Sequence, residues 1–159
     1  MIILKKVLFI SSTGGHLSEL LQLKSLFGKY DYHIVTEKTD STISLKKEYG
    51  NRISYLIYGT KHHMFSYVWK TPVNIFKSLY LFFRIRPNVI VTTGAHTAVW
   101  MCYIAKLFRK KVIYIETLAN IKRKTLSGKL VYPICDKFIV QWESMKKLYP
   151  KAIYGGWIF

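Results

Sequence analysis

Two glycines and a histidine, Gly14-Gly15-His16, lie where an apolar run ends and a helical pattern begins. Glycine lets the backbone approach a ligand closely, and a helix start offers free N–H groups and partial positive charge to a phosphate or diphosphate. The phosphate-loop pattern GxxxxGK(S/T) and the dinucleotide pattern GxGxxG are both absent, so the sequence lacks the motifs of the two common nucleotide-binding folds. A plain turn in which Ser12 or Thr13 caps the helix is the other interpretation that these residues allow.

A second turn repeats the arrangement, because Gly94 follows an apolar strand pattern and His96 begins the next helical pattern. In parallel sheets, ligands bind beyond the carboxyl ends of the strands. The candidates for that edge are the segments that end predicted strands, namely 13–16, 93–96, Glu116 and 141–143. Two such glycine-histidine turns at one edge favour a ligand cleft over coincidence.

The elements that must position these turns alternate between strand and helix along the whole chain. Apolar runs predict strands at 7–10, 32–36, 52–58, 88–94, 111–116 and 137–141. Helical spacing predicts helices at 17–28, 40–49, 72–86, 95–108, before 133 and at 143–149. This order predicts an α/β fold, a Rossmann-like parallel sheet with helices on both faces, in a single domain over residues 1–159.

The charge is strongly positive, +17, from 25 Lys and Arg against 8 Asp and Glu. Such a balance implies an anionic partner, which could be nucleic acid, an anionic membrane surface or a phosphorylated substrate. Zinc, RNP-like and basic-zipper patterns are absent, so we expect no nucleic-acid partner. Cys102 and Cys135 lack metal-ligand spacing and indicate reduced core residues, and the sequence predicts no metal and no cofactor. No apolar run is as long as a spanning helix needs, and the first residues do not resemble a signal peptide.

A family resemblance is carried by two stretches. The loop STGGHLSELLQL resembles the acceptor-side loop of the bacterial glycosyltransferases that make lipid II. It resembles still more the membrane-anchoring subunit family of the two-part N-acetylglucosaminyltransferase of asparagine-linked glycosylation, which includes bacterial capsule and exopolysaccharide versions. Residues 112–156 are similar to that family in order and spacing, through Glu116, 127–129, 132–133, Asp136, 141–142, 149–150 and 154–156.

This resemblance implies the N-terminal, acceptor-binding half of a two-domain GT-B glycosyltransferase, without the half that holds the nucleotide sugar. It implies a polyprenyl-diphosphate-linked saccharide acceptor, and a separate catalytic subunit that binds the donor and is recruited and activated by this chain. We expect a hexosyltransferase complex in capsular or exopolysaccharide biosynthesis, with this chain inactive or weakly active alone. The alternative is a self-sufficient small hexosyltransferase that acts as a homo-oligomer. The expected location is peripheral, on the cytoplasmic face of the plasma membrane.

The resemblance also implies roles for the residues of the two turns. His16 is expected to contact the acceptor diphosphate or, second, to act as general base, and a plain helix-start role remains open. His96 has the same choices, and Glu116 is either a base or a residue that orients a loop. The expected acceptor-binding residues are Ser12, Thr13, Gly14, Gly15, His16, Thr93, Gly94 and His96.

Two further surfaces are expected from composition and resemblance together. The segment 61–86 mixes cations with aromatic residues and is apolar on more than one helical face, which is typical of an interfacial membrane contact. The alternative is a core helix with solvated lysines. The expected membrane contacts are Trp69, Lys70, Phe76, Lys77, Tyr80, Phe82, Phe83 and Arg84. The apolar tail is expected to contact the partner subunit through Tyr154, Trp157, Ile158 and Phe159, or else to pack on its own domain.

Overall fold

A seven-stranded, fully parallel sheet organises the chain in the computed structural model, which describes residues 4–59 and 64–158, the side chains of 64–69 excepted. The strand order is β3-β2-β1-β4-β5-β6-β7. The strands are β1 Lys6–Ile10, β2 Asp31–Lys38, β3 Ile53–Ile57, β4 Val89–Thr92, β5 Lys111–Ile115, β6 Lys137–Val140 and β7 Ile153–Tyr154. The predicted Rossmann-like α/β class is therefore confirmed.

The connections between the strands are helical. The helices are α1 Gly15–Gln22, α2 Lys24–Phe27, α3 Asp40–Ile43, α4 Leu45–Tyr49, α5 Met64–Ile85, α6 His96–Leu107 and α7 Leu126–Val131, with 3₁₀ turns at Gly50–Arg52 and Glu143–Lys147. Among the residues that the structure describes, no helix combines the length and the apolar character needed to cross a bilayer.

Alternate residues of each strand enter two separate cores, because successive side chains point to opposite faces of a sheet. In β1, Leu8 and Ile10 join the larger core, which α5, α6 and α7 cover. Val7 and Phe9 join the smaller core, to which α1 and α2 contribute. Both faces of the central strands are therefore buried, and this is why β1 and β4 read as continuous apolar runs.

The structure differs from the sequence prediction in five elements. The predicted helix 17–28 is divided into α1 and α2, and the predicted helix 143–149 is the 3₁₀ turn Glu143–Lys147. Helix α5 begins at Met64 and contains Pro72, whereas the sequence placed its start at Pro72. Proline removes one helical hydrogen bond, and α5 offsets that loss by burying Leu81 and Phe82 in the larger core. The predicted helix 40–49 is divided into α3 and α4, and the two-residue strand β7 was not predicted because its pattern is too short.

Candidate functional site

The two glycine-histidine turns lie side by side, at the point where the strand order reverses. β1 is paired with β2 on one side and β4 on the other, so the chain leaves these neighbours in opposite directions and opens a crevice between them. The imidazole Nδ1 of His16 lies 2.8 Å from the carbonyl oxygen of Thr93. In return, the Thr93 hydroxyl donates to the carbonyl oxygen of His16 at 2.6 Å. These paired bonds join the β1 turn to the β4 turn.

The contact with Thr93 also sets the tautomer of His16. A carbonyl oxygen can only accept, so Nδ1 must carry the proton in this bond. In the neutral ring, Nε2 then holds a lone pair. No described residue forms a hydrogen bond with Nε2, and His16 lines a pocket. The ring is therefore held in the state that can take a proton from a bound hydroxyl group.

Both helices that begin at this crevice lack a side-chain cap. The N-cap residues are Gly14 for α1 and Ala95 for α6, and neither helix start receives a side-chain hydrogen bond at its cap. By contrast, the Thr125 hydroxyl caps α7 by accepting from the Gly128 amide. Uncapped helix starts leave N–H groups and partial positive charge available for an anion. The capping role that the sequence allowed for Ser12 or Thr13 is therefore not observed.

A buried carboxylate, Glu37 near the end of β2, forms contacts with both turns. Its Oε1 accepts from the Thr97 hydroxyl at 2.7 Å and lies 3.6 Å from Nε2 of His96. Its Oε2 accepts from the Thr13 amide at 3.3 Å. One side chain from β2 thus fixes the start of α6 and the loop after β1, and it orients His96.

A second buried carboxylate, Glu19 of α1, ties that helix to the loop after β5. Its Oε1 accepts from the Thr117 hydroxyl at 2.7 Å and from the Leu118 amide at 3.0 Å. Oε2 is buried and has no hydrogen-bond partner among the described residues. The loop is further held by Trp142, whose indole N–H donates to the Leu118 carbonyl at 2.7 Å.

The third buried carboxylate is Glu116, immediately after β5. It accepts from the Tyr149 hydroxyl at 2.9 Å, the Thr125 hydroxyl at 3.0 Å and the Thr117 amide at 3.1 Å. Burial raises the pKa of Glu116, while the bonds from Tyr149 and Thr125 act in the opposite direction. Burial and the charge of Glu116 likewise raise the pKa of Tyr149.

Gly128 completes this network because no side chain fits there. A Cβ at this position would collide with the Glu116 carboxylate and the Tyr149 hydroxyl, and would lie 2.7 Å from the Thr125 hydroxyl. The structure places residues 127–129 inside α7 and not in a turn, and the contacts of Gly128 explain why glycine is needed in this helix. Only glycine allows α7 to approach the end of β5 so closely.

A pocket of about 260 Å³ opens between the turns and α7. Its lining combines the two histidines, His16 and His96, with polar atoms of α7 and with apolar side chains of α6. The lining residues are His16, Ala95, His96, Val99, Trp100, Thr125, Leu126, Ser127 and Leu130. Among the described residues, no group of three or more His, Cys, Asp or Glu side chains could hold a metal ion. The pocket presents imidazoles, hydroxyls and helix starts, which suits a ligand with an anionic group.

The structure brings together most of the residues that the sequence placed in the acceptor site, but two have other roles. His16 and His96 line the pocket, and Gly14 and Gly15 are exposed at the turn. Thr93 and Ser12 are buried, and the Thr93 hydroxyl is occupied by His16, so Thr93 positions His16 and does not itself face a ligand.

The general-base role considered for Glu116 is wrong for the structure as described. Its side chain is 1% exposed and is not part of the pocket lining, and both its oxygens already accept hydrogen bonds. A base must come within hydrogen-bond reach of the hydroxyl that it deprotonates. Glu116 instead orients the loop that ends at Thr125, which was the other role considered for it.

The membrane-contact prediction is corrected at Phe82, which is 3% exposed and packs in the larger core. Lys70 is half-buried and lines a small recess with His96 and Trp100. The side chain of Trp69 lies outside the described residues. Lys77 and Arg84 are exposed. The outer side of α5 carries exposed side chains at helical spacing, which we call the α5 stripe: Val73, Phe76, Tyr80 and Phe83.

One residue of the C-terminal tail packs on its own domain, and two others are exposed to solvent. Ile158 is half-buried, because its side chain packs against the smaller core and its amide donates to Gln141 Oε1 at 3.1 Å. Tyr154 and Trp157 remain exposed, although the Trp157 ring lies 5.0 Å from that of Trp142. Phe159 lies outside the described residues.

Sequence reasoning missed the supporting residues Glu19, Glu37 and Tyr114. Glu37 carries a weak signal, since it is a carboxylate at the end of an apolar strand. Glu19 gives none, because an acidic residue in an amphipathic helix is ordinarily solvated. Tyr114 looks like core in the sequence, yet its hydroxyl lies 2.9 Å from that of the pocket residue Ser127.

Comparison with known proteins gives a family match over nearly the whole chain. Residues 7–158 match the family described as "Oligosaccharide biosynthesis protein Alg14 like". The rat UDP-N-acetylglucosamine transferase subunit ALG14 is 32% identical, over 94% of this chain and 81% of its own length. The human protein of the same name is 30% identical with the same coverage.

Solved structures similar to this chain share its fold at low sequence identity. MurG from Acinetobacter baumannii superposes with a TM-score of 0.72 at 16% identity, over 88% of this chain and 42% of MurG. The UDP-GlcNAc 2-epimerase from Methanocaldococcus jannaschii, solved with UDP-GlcNAc and UDP, also gives 0.72 at 16% identity, over 96% and 46%. The chain thus spans less than half the length of these structures, which are similar to it in fold alone.

Proposed function

Because this chain belongs to the family of Alg14-like oligosaccharide biosynthesis proteins, we propose that it is the acceptor-binding and membrane-docking subunit of a two-part glycosyltransferase. Its partner is a separate catalytic subunit that carries the nucleotide-sugar site. The acceptor is a saccharide linked through a diphosphate to a polyprenyl lipid. The observation that carries this proposal is the pocket at the sheet switch point, where His16, His96 and two uncapped helix starts converge.

The diphosphate is bound at the starts of α1 and α6. Exposed Gly14 and Gly15 let phosphate oxygens reach the backbone amides of α1, and the helix dipoles favour negative charge at this place. His96, held by Glu37, contributes an imidazole on the other side of the crevice. This arrangement supports the phosphate interpretation of the first turn over the plain-turn interpretation.

His16 acts as the general base in this proposal. Its Nε2 takes the proton of the acceptor hydroxyl while the hydroxyl oxygen forms a bond to the anomeric carbon of the donor sugar. The bond from that carbon to the nucleotide diphosphate breaks, and the diphosphate leaves with the electron pair. The Nδ1–H bond to Thr93 keeps the ring in the tautomer that this step requires. The sequence favours a phosphate contact for His16 over the general-base role, and we propose the reverse order because the contact with Thr93 leaves the lone pair on Nε2.

Membrane docking is assigned to the α5 stripe with Lys77 and Arg84. The stripe exposes apolar and aromatic side chains, of which Phe76 is 72% exposed, on a chain of net charge +17. Aromatic side chains with neighbouring cations suit the interface of an anionic leaflet, and each cation near it contributes about 1 kcal/mol. We place the protein at the cytoplasmic face of the plasma membrane, in capsule or exopolysaccharide assembly, as the family resemblance suggests.

The catalytic subunit is proposed to dock near the tail. On the smaller-core face, half-buried side chains of β4, β5, β6 and the tail line an apolar groove of about 420 Å³, and these include Val89, Ile113, Ile139 and Ile158. Tyr154 and Trp157 are exposed in the same tail as Ile158. Exposed apolar surface of this extent is typical of an interaction site. The word "subunit" in the names of the relatives supports an assembly of more than one chain.

The test is a transferase assay with UDP-N-acetylglucosamine and other nucleotide sugars as donors and a lipid-diphosphate saccharide as acceptor. The purified chain is assayed alone, and again after co-purification with the candidate catalytic subunit. We expect transfer only from the complex. Full activity of the chain alone would contradict the subunit proposal and support the homo-oligomeric alternative.

A matched pair of variants tests the role of His16 within the complex. His16→Gln keeps a hydrogen-bond donor near Thr93 but removes the basic nitrogen, so kcat should fall about 100-fold or more. His33→Gln is the control, because His33 lies in β2 with its Nε2 2.9 Å from the Ser54 hydroxyl, away from the pocket. Unchanged kcat in the His16 variant would remove this residue from the chemical step.

A further inference from the structure

An exposed apolar surface begins in the pocket and extends beyond it along α6 and α7. We propose that this surface binds the first isoprenoid units of the lipid acceptor, so that the subunit recognises the lipid as well as the diphosphate. The inference rests on the proposed function and names one more part of the same substrate. We call the surface the α6–α7 track, and its members are Trp100, Tyr103, Leu107, Leu126 and Leu130.

The exposure of the track is not explained by the packing of α6. The inner side of α6 buries Ala98, Met101, Cys102 and Ala105, which supply the core contacts of this helix. Trp100, Tyr103 and Leu107 follow at intervals of three and four residues, so they form one line along the outer side. Leu107 is 77% exposed and Trp100 is 39% exposed. A helix that only covered the sheet would carry polar residues on this line.

The track has a defined shape because α6 and α7 are fixed to each other. The Tyr103 hydroxyl donates to the Leu130 carbonyl at 3.0 Å, which bridges the two helices halfway along the line. On the α7 side, Gly128 and the Thr125–Glu116 bond hold that helix against the end of β5. The apolar side chains of both helices thus form a surface whose shape is set before binding, which lowers the entropy cost of ordering a flexible chain.

Continuity at both ends identifies the occupant. At one end, Trp100, Leu126 and Leu130 also line the pocket that contains His16 and His96. At the other end, Leu107 is followed by Phe108, whose ring lies 5.0 Å from that of Phe83 in the α5 stripe. A molecule with an anionic head in the pocket and an apolar tail that enters the bilayer would follow this path. A protein partner would not need the track to begin inside the pocket.

The length of the track limits what it can recognise. Trp100 and Leu107 are seven residues apart, which corresponds to about 10 Å along the helix. The hydrocarbon core of a bilayer is about 30 Å thick, so the track accommodates only the part of the lipid nearest the diphosphate. Recognition should therefore saturate after a few isoprenoid units.

The experiment uses the complex with its catalytic subunit and two water-soluble acceptors that carry the same saccharide. One is linked through diphosphate to a ten-carbon citronellyl group and the other to a methyl group, so neither depends on a membrane. We expect the wild-type KM to be about tenfold lower for the citronellyl acceptor. In the double variant Tyr103→Ala, Leu107→Ala, whose positions lie on the track but outside the pocket lining, this advantage should disappear, with kcat and the KM for the methyl acceptor unchanged.

Leu4→Ala is the matched control, because Leu4 is 46% exposed and precedes β1, at the amino-terminal ends of the strands, whereas the pocket lies at their carboxyl ends. It should keep the full advantage of the citronellyl acceptor. Leu107→Ala alone, at a position 77% exposed, provides a second variant if the double variant does not fold. It should lose part of the advantage.

Three outcomes would overturn the inference. The wild-type complex could show equal KM values for the two acceptors, or the variants could raise both values equally. The variants could also fail to co-purify with the catalytic subunit, which would make the track a protein interface. If the wild-type complex transferred sugar to neither acceptor, nor to a long-chain lipid-diphosphate acceptor, the proposed function itself would fail.

Discussion

Gly15→Ala separates a ligand-binding turn from a plain strand-to-helix turn. Gly15 is exposed at the first position of α1, no atom lies within 4 Å of a Cβ built there, and its φ is outside the left-handed region. The fold therefore has room for the methyl group and no backbone strain to resist it. Alanine is the better helix former by up to about 1 kcal/mol within a helix and by less at its first residue. We expect the melting temperature to be unchanged or slightly raised.

The effect on activity should be much larger if a diphosphate approaches this turn. The Cα–Cβ bond of a helical residue tilts toward the helix N-terminus, which is where the phosphate oxygens would meet the free amides. The methyl group would hold those oxygens too far from the amides for a hydrogen bond, whose donor–acceptor distance is about 2.7–3.0 Å. Loss of one hydrogen bond to a charged group costs about 1.5–3 kcal/mol, which corresponds to a fall of about 10- to 150-fold in kcat/KM.

The measurement pairs kcat/KM of the complex with the melting temperature of the same preparation. Gly28→Ala is the control, since Gly28 is also free of neighbours within 4 Å but follows α2 at the opposite edge of the sheet. It should leave both quantities unchanged. If Gly15→Ala kept wild-type kcat/KM and a normal melting temperature, no ligand would approach the turn closely, and the diphosphate assignment would be wrong.

Three other predictions follow from packing and charge. Gly128→Ala should lower the free energy of unfolding by about 2–3 kcal/mol, measured by urea titration, because its Cβ collides with the Glu116 network; a loss below about 0.5 kcal/mol would mean that the network relaxes easily. Burial, assisted by the positive charge of neighbouring arginines, lowers the pKa of His33 to about 4 from 6.5. Because the pKa of His33 is lower in the folded state than in the unfolded state, the contribution of His33 to the free energy of unfolding is fully present above pH 6.5. This contribution is lost as the pH falls toward 4. Allowing for the partial exposure of His33, we expect a loss of about 1–2 kcal/mol between pH 7 and pH 5, which His33→Gln should abolish. Phe82→Ala should cost about 3–5 kcal/mol by opening a core cavity. Phe76→Ala should leave the melting temperature unchanged and weaken binding to anionic vesicles, so equal melting temperatures for the two variants would contradict the assignment of the α5 faces.

The sheet could be predicted because each strand is marked by a pattern in its own short stretch of sequence. Each central strand is an apolar run that ends in polar or glycine residues, and a buried parallel strand requires this pattern. Alternation with helices then fixes the class of fold. The extent of α5 was not predictable in this way, because a local rule places a helix start at Pro72. The burial of Leu81 and Phe82 that stabilises the longer helix is a tertiary effect.

The site was predictable where backbone conformation marks the sequence, and not where side chains act at a distance. Gly14 and Gly94 have φ values of 72° and 96°, which favour glycine, so the two turns could be found. Glu19 and Glu37 reach their partners 98 and 60 residues away along the chain. No local pattern records such contacts. Phe82 and Phe83 illustrate the same limit, since adjacent aromatic residues give no signal of which one faces the core.

The buried carboxylates explain how an anion site can exist beside three acidic residues. The chain has only eight Asp and Glu, and three of them, Glu19, Glu37 and Glu116, are buried around this pocket. An unshielded carboxylate about 8 Å from a diphosphate would repel it by about 2 kcal/mol per charge pair at an effective dielectric constant of about 20. Here hydroxyl and amide donors from both turns and from the loop after β5 point their dipoles at these oxygens.

These donors offset the negative charge of the three carboxylates inside the fold, so that the carboxylate oxygens do not face the pocket. Threonine hydroxyls and backbone amides are attracted to the carboxylates, so the loops that bear them are held in place. The polar groups that remain toward the pocket are imidazoles, the hydroxyls of Thr125 and Ser127, and helix starts. Replacing Glu37 by Gln should therefore weaken the anchoring of Thr13 and Thr97 more than it strengthens anion binding. The expected result is a lower melting temperature together with a higher KM for the acceptor, whereas a lower KM would show that repulsion, and not positioning, dominates at this residue.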